Sequence, residues 1–311
     1  MKTSMLERFR SNATRLLAFL MALAACQAYA QRATDTAAAR QAGSRRFLLW
    51  KVTSSTATVY LLGSVHVATP EFYPLPEAME SAFAASKVLA VEVNVDNIDP
   101  SKSLELAQER GMYSDGDSLS RHLSKQTSDA LDNFCGKYGM PREGLETFKP
   151  WFVAMTVTVL AVEQGGESHE LGIDKHFMNE VRPPQRIDEL ESAEFQLSVL
   201  SSASEQEQEE LLASTLKQAE NAKESMQRLN EAYLSGDADK LERILEEEST
   251  PKSFYKRLVE DRNLSMAAHV EDYLKGREQC FVVVGAGHLV GSKGIVKLLE
   301  GKGYHVERVT P

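Results

Sequence analysis

The stretch "CFVVVGAGHLVGSKGIVKLLEGKGYHVERV" (residues 280–309) decides the fold. Its first residues are an apolar, valine-rich run that stops at Gly285, as a strand buried on both faces would. A turn follows, then the helix-forming "IVKLLEGKG", then a second strand-like run, "YHVERV". Strand, helix and strand in this order read as a layered α/β unit. The same opening frame occurs in "VYLLGSVHVA" (residues 59–68). Each apolar run ends at a glycine, Gly63 or Gly285, and each places a histidine three residues on, His66 or His288. A glycine lets the chain leave a strand tightly and lets backbone approach a bound group.

Outward from these runs, "FLLWKV" and "TATVYLLG" around "TSS" read as a β-hairpin. A helix is predicted from about Leu75, behind the prolines of "TPEFYPLP". "KVLAVEVNV" (87–95) is short and valine-rich, a buried strand with one acid, Glu92, in it. From 101 to 181 the pattern is helical, and "WFVAMTVTVLAV" is apolar all round, as a core helix must be. "PPQRIDEL" (183–190) reads as a short strand leading to Glu191. Leu212, Leu216, Ala219, Ala222, Met226, Leu229 and Tyr233 then step by three or four, a narrow helical seam that "SGD" (235–237) interrupts. This predicts a long helical-hairpin insertion over about 201–249. The fold class is α/β: a central mixed, largely parallel sheet flanked by helices, in one domain over 46–311.

The amino terminus reads differently. Residues 1–30 have a basic start, the apolar run "LLAFLMALAA" and small residues after it, the pattern of a secretory signal peptide. Two cleavage patterns stand side by side: "AYA" before Gln31, and "LAAC", a lipobox that would leave a lipidated, membrane-anchoring Cys26. Residues 31–45 are polar and Ala-rich, a disordered tether. The expected location is the periplasm, free or held at the outer membrane through Cys26. Without residues 1–30 the chain keeps 31 Lys and Arg against 44 Asp and Glu. That excess of acid, with no basic block, excludes sequence-nonspecific nucleic-acid binding. The remaining cysteines, Cys135 and Cys280, are two, not a disulfide scaffold; export would permit a disulfide between them, but Cys280 opens a strand-like run and is expected to be a buried free thiol.

In a largely parallel sheet, ligands bind where strands end and loops begin. His66 and His288 sit just past two such ends, with Glu92 at a third and Glu191 after a fourth. Two imidazoles and one or two carboxylates can ligate a divalent cation of the Zn, Mn or Co class. Such a cation supports hydrolysis without a Ser or Cys nucleophile. The same histidines could instead only satisfy buried carbonyls. Ser192 could simply cap the helix after Glu191, and Asp174 reads as the N-cap of "IDKHF".

"LLGSVHVA" and the 282–309 block resemble the signature ends of the TraB/GumN family, a relative of Tiki-type metalloproteases and, more remotely, of erythromycin esterase-like proteins. "LAVEVN", "KPW", "LGIDKHF", "LESAEFQ" and "DRNLSMAAHV" follow the family's order, so the resemblance covers residues 46–309. It implies an α/β fold and a metal-dependent hydrolase site on the two Gly-x-x-His turns. His66, His288 and Glu92 would hold the cation, Glu92 or Glu191 would be the general base, and Arg262 would stabilise an oxyanion. The family commonly has Thr after the first glycine; this chain has Ser64, which keeps the hydroxyl. The implied substrate is a peptide or a small amide or ester. The alternative is a non-catalytic envelope binder of a peptide, a metal or a haem-like ligand.

Overall fold

A computed structural model describes residues 46–165, 167–248 and 251–310. The expected signal peptide, Cys26 and tether lie outside the described residues. The hairpin forms as β1 (Leu49–Thr53) and β2 (Thr58–Ser64), paired antiparallel from Leu49↔Leu62 to Thr53↔Thr58. Its turn is tied by the Ser54 hydroxyl, which accepts from the Ala57 N–H at 3.0 Å and donates to the Leu274 carbonyl at 2.7 Å.

The other strands are β3 (Val88–Val91), β4 (Arg186–Glu189), β5 (Cys280–Gly285) and β6 (His305–Arg308). The sheet order is β4-β3-β5-β2-β1-β6. β4, β3, β5 and β2 run parallel; β1 is antiparallel to both β2 and β6. All of β3 and Cys280–Val284 of β5 are buried, which is why these strands read as unbroken apolar runs rather than alternating ones. β2 and β5 lie side by side in the middle, with Ser64 opposite Gly285. The two Gly-x-x-His turns are therefore neighbours in space at one end of the sheet.

Helix α1 (Glu77–Ala84) links β2 to β3 and starts after Pro76, two residues later than Leu75. Between β3 and β4 come α2 (Pro100–Gly111), α3 (Lys125–Tyr138), α4 (Pro150–Gly165) and α5 (Ile173–Glu180). After β4 come α6 (Ala193–Ser201), α7 (Glu205–Glu220), α8 (Ala222–Ser235) and α9 (Ala238–Glu248). Then α10 (Lys252–Tyr255) runs through a π-helical segment, Lys256–Glu260, into α11 (Asp261–Lys275). Helix α12 (Ile295–Gly301) joins β5 to β6. Among the described residues no helix is long and apolar enough to cross a membrane.

Among the described residues two hydrophobic cores result. One surrounds the sheet and takes Phe83, Phe177, Met266 and Val270 from the helices. The other is wholly helical and joins Leu131, Trp151, Phe152, Val157, Leu212, Leu216 and Phe254. Helix α4, apolar on all sides, lies in that second core against α7. The seam expected along one helix of a hairpin is divided. The chain breaks at Asn221, so Leu212, Leu216 and Ala219 enter the helical core, while Tyr233 enters the sheet core. A period of three or four marks a helical face but not a change of partner along it. Cys135 and Cys280 are free and buried, one in each core.

Candidate functional site

The site is assembled where β2, β3, β4 and β5 end together. The β3–β4 ladder continues past both strands: the Leu190 N–H donates to the Val91 carbonyl and the Glu191 N–H to the Glu92 carbonyl, each at 2.9 Å. This sets Glu92 and Glu191 next to each other. Arg262, 7 % exposed on α11, joins them. Its Nη2 donates at 2.7 Å to Glu92 Oε2 and at 2.7 Å to Glu191 Oε2; its Nε donates to Glu191 at 2.9 Å and 3.1 Å. Nη1 donates to the Leu258 carbonyl, inside the π-helical segment, at 2.9 Å. Gln196 on α6 completes the group, donating to Glu191 at 3.2 Å and Glu92 at 3.4 Å. Ser192 caps α6 as its sequence suggests, accepting from the Phe195 N–H.

The other oxygen of Glu92 faces the histidines. Oε1 accepts from the Gly285 N–H at 2.7 Å and lies 3.7 Å from His288 Nε2. Burial on its own raises the Glu92 pKa. The neighbouring His288, His66 and Arg262 side chains, with the Gly285 N–H, outweigh it and bring the value to about 2. Glu92 is thus a carboxylate at any ordinary pH.

Each imidazole is held at Nδ1 by a different partner. Asn263 on α11 donates its Nδ2 to the Lys293 carbonyl at 2.8 Å, so its Oδ1 is the acceptor that meets His288 Nδ1 at 2.6 Å. The His288 proton therefore sits on Nδ1, and Nε2 presents a lone pair toward Glu92. His66 Nδ1 lies 3.3 Å from Asp174 Oδ1, at the start of α5. That helix start is clamped to the first turn: the Ile173 N–H donates to the Val65 carbonyl, and a Cβ on Gly172 would lie 2.5 Å from the His66 carbonyl oxygen. The N-cap of α5 is Gly172, not Asp174 as its sequence suggested; Asp174 is freed to face His66. The Asp174 carboxylate beside it raises the His66 pKa to about 9. His288 moves the other way, its charged form disfavoured by burial.

The space between these groups is seen from Gly285. A Cβ there would lie 3.3 Å from Glu92 Oε1, 3.5 Å from His66 Nε2 and 3.7 Å from His288 Cδ2. The missing side chain leaves a cradle faced by both rings and one carboxylate oxygen. Among the described residues no three His, Cys, Asp or Glu side chains stand as a finished cation cage. The donor chemistry still fits a divalent cation, with His66 giving up a proton on binding: two Nδ1-backed imidazoles beside an ionised carboxylate.

All five residues expected from the sequence, His66, His288, Glu92, Glu191 and Arg262, are gathered here. Three that were not expected, Asp174, Asn263 and Gln196, supply the contacts that orient them. Asn263 had a signal beside it, since it follows Arg262 directly. Gln196 and Asp174 lie in segments quoted for the resemblance but carry no local mark of their contacts.

Residues 48–308 match the TraB/PrgY/gumN family. Two curated relatives share 24 % identity over 243 residues, covering 78 % of this chain and 87 % of theirs: the uncharacterized protein YbaP of Escherichia coli K12 and that of Shigella flexneri. No solved structure matches the chain. With nearly the whole α/β domain matched, this chain belongs to the TraB/PrgY/gumN family.

Proposed function

We propose that this protein is a metal-dependent hydrolase of peptide or amide bonds that works in the cell envelope. The observation that carries the proposal is the cradle over Gly285, faced by His66 Nε2, His288 and Glu92 Oε1. A divalent cation of the Zn, Mn or Co class, when bound there, supplies an acidic water and a Lewis acid for the substrate carbonyl. His66, His288 and Glu92 would hold it. Asp174 and Asn263 keep the two Nδ1 atoms occupied, so each ring offers Nε2 alone.

Bonding favours Glu92 over Glu191 as the carboxylate that meets the cation and its water, and its low pKa suits it to orient that water rather than to keep a proton. Both Glu191 oxygens accept from Arg262, and its side chain is 2 % exposed. Glu92 keeps Oε1 on the histidine side. The same bonding changes the part expected of Arg262. Its guanidinium is taken up by Glu92, Glu191 and the Leu258 carbonyl, so it steadies Glu92 rather than a substrate oxyanion. The half-open ring of His66 marks the side from which a substrate reaches the cradle. Export through the residue 1–30 segment, with or without a lipid on Cys26, belongs to the same proposal.

The test is a peptide-library digest by the mature domain and by Glu92→Gln. A hydrolase loses turnover in the variant while still binding its peptides. Peptide binding without turnover by the wild-type protein would replace the hydrolase with a binder.

A further inference from the structure

Ser64 stands directly after the first glycine, is 2 % exposed, and its Oγ has no hydrogen-bond partner among the described residues. A hydroxyl in such a place is destabilising, because water is lost and nothing replaces it. Alanine would fill nearly the same space without that loss. The direction of the side chain suggests what the hydroxyl serves. Ser64 is the register partner of Gly285 on the neighbouring parallel strand, so the two project on the same face of the sheet. The Gly285 side of that face is the cradle of Glu92, His66 and His288. Gly63, one residue earlier, projects on the opposite face, where a Cβ would meet Ala286 and Leu48.

One other polar atom near the first turn shares this state. His169 Nδ1 is also buried with no hydrogen-bond partner among the described residues, and Ala68 bridges to Ser168 just before it. A buried, unmet hydroxyl on the face of a cradle points to a ligand that is itself polar.

We infer that Ser64 is a ligand-contacting residue whose hydroxyl donates a hydrogen bond to an oxygen bound in the cradle: a water, or the oxyanion that takes its place. This rests on the proposed hydrolase reading and adds a third kind of contact to its histidines and carboxylate. It also gives the small hydroxylated residue after Gly63 a task that neither the turn nor the core requires.

The experiment compares wild type, Ser64→Ala and Ser64→Thr. Each is melted metal-free, then loaded with Co(II) and titrated with acetohydroxamate, an oxygen-donor anion, by visible absorption. Ser64→Ala is expected to take up Co(II) as wild type does, to melt no lower, and to bind acetohydroxamate roughly tenfold more weakly. Ser64→Thr restores the affinity. Equal affinity in Ser64→Ala overturns the inference and leaves the hydrolase reading intact. A lower melting temperature for Ser64→Ala also overturns it, since the hydroxyl then has a partner inside the protein. Failure of the wild-type protein to take up Co(II) removes the hydrolase reading, and this inference with it.

Discussion

The two Gly-x-x-His turns are alike in sequence and unlike in surroundings. His288 is 8 % exposed in its side chain and is backed by an amide, Asn263; His66 is 57 % exposed and backed by a carboxylate, Asp174. Their glycines differ as well. Gly63 is a packing glycine, with Ala286 Cα 3.1 Å from where its Cβ would be, whereas Gly285 leaves the cradle open. Helix α9 lies over the second turn, where Leu245 approaches Gly287, and α8 holds the first turn from below through the Tyr233 hydroxyl, which donates to the Gly63 carbonyl at 2.6 Å. One repeated frame therefore yields one buried, structural half of the site and one open half. Adjacent parallel strands bring both histidines to the same edge, and the long-range partners then set them apart.

This contrast breaks first, if it breaks, on the buried side. Arg262→Ala leaves Glu92 and Glu191 facing each other without a cation, and chemical denaturation should show a loss of about 3–5 kcal/mol. Asn263→Ala leaves the buried His288 Nδ1 unpaired and should cost about 1–3 kcal/mol. Asp174→Asn, on the open side, should cost less than about 1 kcal/mol because the amide oxygen can still accept from His66, whose ring is open to water. Equal losses for Asn263→Ala and Asp174→Asn would erase the distinction. Both variants should still weaken Co(II) binding, by at least roughly tenfold, since each loosens a ring.

The two glycines should also respond differently to a methyl. Gly63→Ala forces a methyl against the Ala286 backbone and should cost about 1–3 kcal/mol. Gly285→Ala should fold nearly as well as wild type, because its methyl meets only side-chain atoms, none nearer than 3.3 Å, yet it should abolish metal uptake by filling the cradle. Loss of folding in Gly285→Ala with retained uptake in Gly63→Ala and no stability change would reverse the assignment.

The smallest effect is a matter of pH. In the metal-free protein His66 has a raised pKa, about 9, and His288 a lowered one. The contribution of His66 is fully present below its unfolded value of 6.5 and is lost as pH rises through about 9. That of His288 has the opposite sign: it is present above the unfolded value and lost as pH falls. Because the His66 ring is open to solvent, its share of stability is small. Imidazole proton resonances followed with pH should show His66 titrating last and His288 still neutral where ordinary histidines are charged. Coincident titration of the two rings would remove the asymmetry.

Much of this site was legible in the chain. A valine run ending at glycine marks a buried strand end, and a lone acid inside such a run, Glu92, needs a partner. The partners were less legible. Asp174 meets a histidine 108 positions earlier, and Asn263 meets one 25 positions later. Both contacts depend on β5 being inserted between β3 and β2, a crossover that periodicity does not carry. For the same reason the seam from Leu212 to Tyr233 read as one face, although Asn221 turns its two halves toward different cores. Ser64 was visible only as a retained hydroxyl; its lack of a partner is a property of the folded molecule.

Whether the two turns hold one cation, as proposed, is read by elemental mass spectrometry on the mature domain, purified without chelators or a His-tag, beside the His66→Ala, His288→Ala double variant. Near-stoichiometric Zn, Mn or Co is expected in the wild-type protein and none in the variant. A wild-type protein that stays metal-free after reconstitution with these ions, or a variant that keeps its metal, would contradict the proposal.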